Sequence, residues 1–265
     1  VEIVIQPTEI DATRLAAKIV ADRLRAKPDL VLGCATGRTM EGIYERLVRI
    51  HASDGLDFSA VRTFNLDEYV GMSPDDPHSY HAYMRDRLFT HVNIDPANTH
   101  LPNGLAADLA REAHWYESRI EAAGGIDLQL LGLGRTGHIG FNEPLSALMS
   151  RTRDKALTPE TRRQNAEMFG GNPNRVPPRA LTMGVGTILD AHEILMIVTG
   201  ASKADILAKA VEGPITSMIS ATVLQLHPNC QVVVDEPAAT KLAGAEYYRW
   251  IFETEPKWAP HRADS

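Results

Sequence analysis

The run Asp127-Leu-Gln-Leu-Leu-Gly-Leu-Gly-Arg-Thr-Gly-His-Ile-Gly-Phe-Asn-Glu-Pro144 restricts the architectures open to this chain more than any other stretch. Leu128, Leu130, Leu131 and Leu133 form a short apolar run with no helical period, as a buried strand requires. Gly132, Gly134 and Gly137 then break it, letting the backbone turn sharply and approach a ligand closely. His138 follows at once, and Glu143 comes five residues later, held by Pro144. An imidazole, a carboxylate and bare backbone at the end of a buried strand point to a reaction site rather than a packing unit. The letters Gly132-Leu-Gly-Arg-Thr-Gly137 also satisfy a dinucleotide fingerprint, which needs a helix at its third glycine and an acid about 20 residues on. Gly140 and Pro144 oppose that helix and no strand ending in an acid follows, so nicotinamide binding is set aside.

The remaining strands have the same character. Val1 to Ile5 alternates, Leu30 to Cys34 is a buried apolar run, Val61 to Leu66 is the next strand, and Ile194–Thr199 and Gln231–Asp235 follow. Between them lie helical periods: Leu15, Ala16, Ile19, Val20 and Leu24 on one stripe, then Ile43, Leu47 and Ile50, then Tyr80, Tyr83, Met84 and Leu88. Further helices are expected over 107–123, from Lys203 through Val211, and over 247–252. Strand and helix alternate throughout, which implies a Rossmann-like α/β fold: one mainly parallel sheet with helices on both faces, in a single domain over 1–265. The stretch 157–178 has no good apolar stripe and contains Gly170-Gly171 and Pro177-Pro178, so it reads as a mobile lid over the active site.

Bulk properties narrow the function. A net charge of −7 argues against nucleic acid, whose phosphates demand a basic patch. No apolar run reaches the roughly 18 residues of a membrane span, and no leader is evident at the N-terminus. Two cysteines, Cys34 and Cys230, each in an apolar run, suit a reducing compartment, and the expected location is the cytoplasm.

Four strand ends carry chemistry, and in a parallel sheet all four leave the same edge. Thr36-Gly-Arg-Thr39 opens a helix, where backbone N–H groups and the dipole receive an anion; its bland alternative is an ordinary strand–helix turn. Asp67 and Glu68 follow a strand directly, where open α/β sheets put their ligands; the bland alternative for Asp67 is a helix cap or an exposed loop acid. His138 with Glu143 resembles a base and its orienter. Ser202-Lys203 places a cation at a helix start, which is unfavourable unless an anion arrives; the alternative is a solvated lysine. His78 and His81 fall in a surface segment without a third ligand at a recognisable spacing, so no metal is expected.

These residues carry a resemblance. Leu32-Gly-Cys-Ala-Thr-Gly-Arg-Thr39, Phe64-Asn-Leu-Asp-Glu-Tyr-Val-Gly71, Gly134 to Pro144, Ser150-Arg-Thr-Arg153, Ala180-Leu-Thr-Met-Gly184, Val211-Glu-Gly213 and Leu226-His-Pro228 are similar to glucosamine-6-phosphate deaminases, collinearly and over nearly the whole chain. The resemblance implies isomerisation of an amino-aldose phosphate with loss of ammonia, giving fructose 6-phosphate without a cofactor. It implies that His138 assists ring opening with Glu143 fixing its tautomer, that Asp67 moves a proton from C2 to C1, and that Thr36, Gly37, Thr39, Gly137 and Lys203 bind the substrate and its phosphate. Family members that are hexameric respond to N-acetylglucosamine 6-phosphate, and Ser146, Arg153 and Lys155 match that anion site, which would make a homo-oligomer and an activator part of the expectation.

The chain departs from the family pattern at four positions. Thr136 stands where an acid or amide precedes the Gly-His, and Arg38 adds a cation to the phosphate loop. Glu167 aligns with an arginine that the family lowers onto the phosphate, and Ala156 replaces a threonine of the effector site. Arg38 is expected to take over phosphate charge. The competing readings are deamination of a related amino sugar such as the galactosamine epimer, a lactonase or pentose phosphate isomerase of the same wider fold, and a weakly catalytic sugar-phosphate binding protein or regulator.

Overall fold

The computed structural model of the protein describes residues 1–262. Among them are ten strands: β1 (Glu2–Gln6), β2 (Val31–Cys34), β3 (Arg62–Asn65), β4 (Asp67–Tyr69), β5 (Thr99–His100), β6 (Leu128–Gly132), β7 (Arg153–Ala156), β8 (Arg179–Thr182), β9 (Glu193–Val198) and β10 (Cys230–Asp235). Seven form a wholly parallel sheet in the order β1-β10-β9-β6-β2-β3-β5. Val31 and Leu32, Leu130 and Leu131, Leu195 to Val198 and Val232 to Val234 are all buried, odd and even positions alike. That is why these strands read as unbroken apolar runs: each face of the sheet is covered. Gly33 in β2 has a steric reason, because a Cβ there would lie 2.2 Å from Oε1 of Gln129, its register partner on β6.

The ten helices are α1 (Glu9–Ala26), α2 (Arg38–Asp54), α3 (Tyr80–Arg87), α4 (Leu109–Ala122), α5 (Pro159–Asn165), α6 (Val185–Leu189), α7 (Ala204–Glu212), α8 (Glu236–Ala239), α9 (Ala245–Thr254) and α10 (Ala259–Arg262). The apolar stripe of α1 is buried as expected, and Thr8 caps its start by accepting from Asp11 N at 3.1 Å. From β2 the chain builds outward through β3 to β5, then returns to the far side of β2 as β6 and continues to β9 and β10. With right-handed crossovers this reversal sends helices to opposite faces and leaves a crevice between the carboxyl ends of β2 and β6. The loop after β6 does not open a helix at Gly137, unlike a dinucleotide turn; it runs on as irregular turns to Ser150. No helix among the described residues is long and apolar enough to cross a membrane.

Two expectations need correction. Asp67 and Glu68 are not loop acids hanging from a parallel strand. After a break at Leu66 the chain pairs again as β4, antiparallel to β8 with Asp67 opposite Thr182, and β8 pairs with β7 in a separate three-stranded sheet. Met183 N donates to Leu66 O at 2.7 Å, which carries the pairing across the break. The segment 157–178, which joins β7 to β8, is not devoid of apolar anchors either. It holds α5 and 3-10 turns at Ala166–Phe169 and Pro173–Arg175, and it buries Leu157, Ala166, Phe169 and Val176 against Tyr69, Tyr80 and Phe141 in a second apolar cluster. Short irregular turns place these side chains at spacings that follow no single period, so the stripe was invisible.

Candidate active site

The crevice begins at α2. Its cap position is Gly37, at φ 112°, and no side chain caps the helix. Tyr83 OH donates to Gly37 O at 2.8 Å and fixes the turn from behind. The first-turn N–H groups of a 17-residue helix thus face the crevice without a side-chain acceptor, the arrangement that receives anions. Thr36 and Thr39 are half-buried beside it and Arg38 is exposed. Across the crevice, Lys203 ends the 3-10 turn before α7, and its Nζ donates to Leu133 O at 2.6 Å. Burial, reinforced by Arg135, pushes the Lys203 ammonium down to about 8, so an arriving dianion would relieve an unfavourable charge.

Asp67 is 6 % exposed, and its carboxylate makes no hydrogen bond to other described residues. Burial raises its pKa well above the ordinary carboxylate range, and the neighbouring Glu68 adds to this. Its Oδ2 lies 3.5 Å from where a Cβ on Gly140 would sit, so Asp67 faces the loop that carries His138. Gly140 is required there: its φ is +54°, and Thr182 Oγ1 would be 2.9 Å from an added Cβ. On the other side Asp67 helps raise the pKa of the buried phenol of Tyr80, whose OH donates to Tyr69 OH at 3.4 Å. Asp67 and the His138 loop therefore meet along one rim.

Glu68 points away and has a structural task. Fully buried, it accepts from Tyr69 N at 2.8 Å, Tyr80 N at 3.2 Å and His81 N at 3.1 Å, and its Oε2 lies 2.8 Å from His81 Nδ1. It receives the first N–H groups of α3. Glu68→Gln would turn an amide against those donors. Urea unfolding is expected to show a loss of about 2–3 kcal/mol, with KM little changed if the variant stays folded. His78 stacks on Phe169 of the lid at 5.0 Å.

His138 is 7 % exposed. Its ring lies directly over Gly134, where an added Cβ would be 2.2 Å from Nε2. Burial lowers its pKa, Lys203 lowers it further and Glu143 opposes both. The ring is therefore disposed to be neutral near pH 7. The sequence makes Glu143 its orienter, but Glu143 Oε2 stands 3.6 Å from Nδ1, beyond hydrogen-bond reach, while Thr136 Oγ1 stands at 2.8 Å. Thr136 holds the ring, and Glu143 Oε1 accepts instead from Thr158 N at 3.0 Å and Thr158 Oγ1 at 3.2 Å, at the start of segment 157–178.

The remaining candidates make other contacts. Ser146 is buried with its Oγ unpartnered, Arg153 donates to Asn142 Oδ1 at 2.7 Å, and Lys155 is half-buried on β7. Glu167 is exposed in segment 157–178. Gly137, at φ +79°, admits the close approach of Ile219 and Ile206. Two surface cavities of about 770 and 620 Å³ touch none of the rim residues, so the site is assigned from converging groups and not from hollow space. Sequence reading missed Tyr80, Thr158 and Thr182. Only the helix-cap pattern Thr158-Pro-Glu could have drawn attention to one of them.

The chain is similar to known proteins. The family model of glucosamine-6-phosphate isomerases and 6-phosphogluconolactonases matches residues 8–233. The chain is 49% identical over 257 residues to a glucosamine-6-phosphate deaminase of an Arthrobacter species, covering 97% of this chain and 98% of that protein. It is 46% identical over 230 residues to glucosamine-6-phosphate deaminase 1 of Bacillus subtilis, covering 87% and 95%. Among solved structures, one described as a monomeric glucosamine-6-phosphate deaminase superposes with a TM-score of 0.89 at 44% identity, over 91% of this chain and all of that one. A 6-phosphogluconolactonase from Trypanosoma brucei superposes with a TM-score of 0.71 at 20% identity, over 91% of this chain and 98% of that one, a likeness of fold alone.

Proposed function

The chain belongs to the family of glucosamine-6-phosphate isomerases and 6-phosphogluconolactonases, and from that premise we infer that it is a glucosamine-6-phosphate deaminase acting as a single domain. Glucosamine 6-phosphate and water are converted to fructose 6-phosphate and ammonia. The observation that carries the assignment of roles is the convergence of Asp67 and the His138 loop on one rim beside the uncapped start of α2.

The phosphate lies at the N-terminus of α2, held by Thr36, Gly37, Arg38 and Thr39, with Lys203 opposite. His138, its ring held by Thr136, passes a proton between the anomeric hydroxyl and the ring oxygen, which opens the sugar. Asp67 then takes the C2 proton, giving an enolamine, and returns it to C1. Water adds to the resulting C2 imine and ammonia leaves, so the proton count closes without a redox step. A carboxylate whose pKa is raised by burial is a stronger base than a solvated one, which suits abstraction of a carbon-bound proton.

Ser146, Arg153 and Lys155 are assigned to an anionic effector such as N-acetylglucosamine 6-phosphate, whose binding would require Arg153 to leave Asn142. Two buried thiols suit the cytoplasm.

The test is ammonia release from glucosamine 6-phosphate and, in parallel, from its galactosamine epimer. Release from neither, with both sugars still raising the melting temperature, would leave a binding protein. Arg38→Ala is expected to raise KM about tenfold with kcat within about twofold, the effect of one charge-assisted phosphate contact. An unchanged KM would assign the phosphate charge elsewhere.

A further inference from the structure

Glu143 is an unevenly used carboxylate. Oε1 accepts two hydrogen bonds from Thr158, while Oε2 is buried, has no partner and stops 3.6 Å short of His138 Nδ1. Thr158 is the cap of α5, its Oγ1 also accepting from Thr161 N at 3.2 Å, so the donors that hold Glu143 move with the lid. Two more contacts seat the same helix on the site. Arg135 N donates to Gln164 Oε1 at 3.2 Å, and Asn165 Nδ2 donates to Tyr69 OH at 2.9 Å.

We propose that Thr158 is a positioning residue that ties the seating of the lid to the charge of the His138 ring. With α5 seated, Thr158 keeps the Glu143 carboxylate turned from the imidazole, and Thr136 alone holds Nδ1. When the first turn of α5 lifts, Oε1 loses both donors, the carboxylate turns to Nδ1, and the ring takes a proton from solvent and becomes imidazolium. Reseating the lid returns that proton. The opening acid–base step would then be tuned by whether the site is covered.

The groups facing His138 can be named element by element. Its own loop offers Glu143 and the Thr136 hydroxyl, and the turn before α7 offers Lys203 with Arg135 beside it. β4 brings Asp67 across Gly140, and α5 presents the N–H and hydroxyl of Thr158. Glu143 is the group among these whose position Thr158 controls.

This inference rests on the catalytic reading for its meaning but not for its test, which titrates the His138 ring by NMR in the substrate-free protein. Thr158→Val keeps the backbone donor and removes the hydroxyl. It is expected to move the His138 titration upward by about 0.5–1 pH unit, the equivalent of roughly one hydrogen bond. Thr158→Ser should restore the wild-type midpoint, and Asn165→Ala, which loosens α5 at a different contact, should shift it in the same direction. Adding Glu143→Gln to Thr158→Val should abolish the shift. An unmoved midpoint in Thr158→Val, or a shift that survives Glu143→Gln, would overturn the proposal and leave Thr158 as a helix cap only. If the protein fails to deaminate glucosamine 6-phosphate while the titrations behave as stated, the coupling stands and the assigned reaction does not.

Discussion

Asp67→Asn is expected to lower kcat by about 10²–10⁴-fold, the usual contribution of a positioned base, while making the folded protein less sensitive to alkaline pH. The two effects have one origin. Burial and Glu68 raise the pKa of Asp67 in the folded state, so the folded protein holds this proton more tightly than the unfolded chain does. Such a group contributes stability below the ordinary carboxylate value, and the contribution is lost as pH rises through the folded pKa. Wild type therefore loses stability across that window and the asparagine variant does not. The melting temperature of the variant relative to wild type should climb as pH rises from the ordinary carboxylate value through the raised folded-state value. A variant that stays active, or one whose relative melting temperature falls as pH rises, would remove Asp67 from the role of buried base.

The second large effect is expected at a residue with no side chain. Gly134 lies beneath the His138 ring, and an alanine methyl there would be 2.2 Å from Nε2, 2.4 Å from Cδ2 and 2.5 Å from Cε1. Gly134 N also donates to His138 O at 2.9 Å, so the backbone of this turn is closed and the ring must give way. Displacing an acid–base group by about 1 Å can cost on the order of 10² in rate. Gly134→Ala is expected to reduce kcat/KM by about that factor, with a stability cost of about 1–3 kcal/mol from overpacking. Gly132→Ala is the control, because its nearest atom, Met40 Cε, is 4.0 Å from the new Cβ. If both variants keep wild-type activity, the ring over Gly134 is not where the chemistry occurs.

What could be read from the residues alone follows from the range of the interactions. The parallel strands were legible because burial on both faces writes itself as unbroken apolar runs, as in Leu195 to Val198. The edge on which the site lies followed from strand direction alone. β4 was not legible: three residues, Asp67 to Tyr69, pair with β8 more than a hundred positions later, and nothing local announces that partner. The same holds for the split duty of Glu143. Its spacing from His138 suggested a direct hydrogen bond, whereas the lid arriving from the other side of β7 draws the carboxylate away. Glu68 read as a ligand-facing acid because capping of α3 depends on where that helix lands in space. Thr136, a departure from the family pattern, proved able to reach the ring because a hydroxyl needs only distance and angle, not charge.

The three-stranded sheet has a consequence for how such enzymes diversify. Both roots of segment 157–178 are strands of one small ribbon, β7 and β8, and the latter also carries the pairing that aims Asp67. Whatever is spliced between those roots leaves the bearing of Asp67 unaltered, since the ladder and not the loop sets its direction. A chain can thus exchange its covering residues, as Glu167 illustrates, and explore new sugar decorations while the proton-moving machinery stays on its original footing.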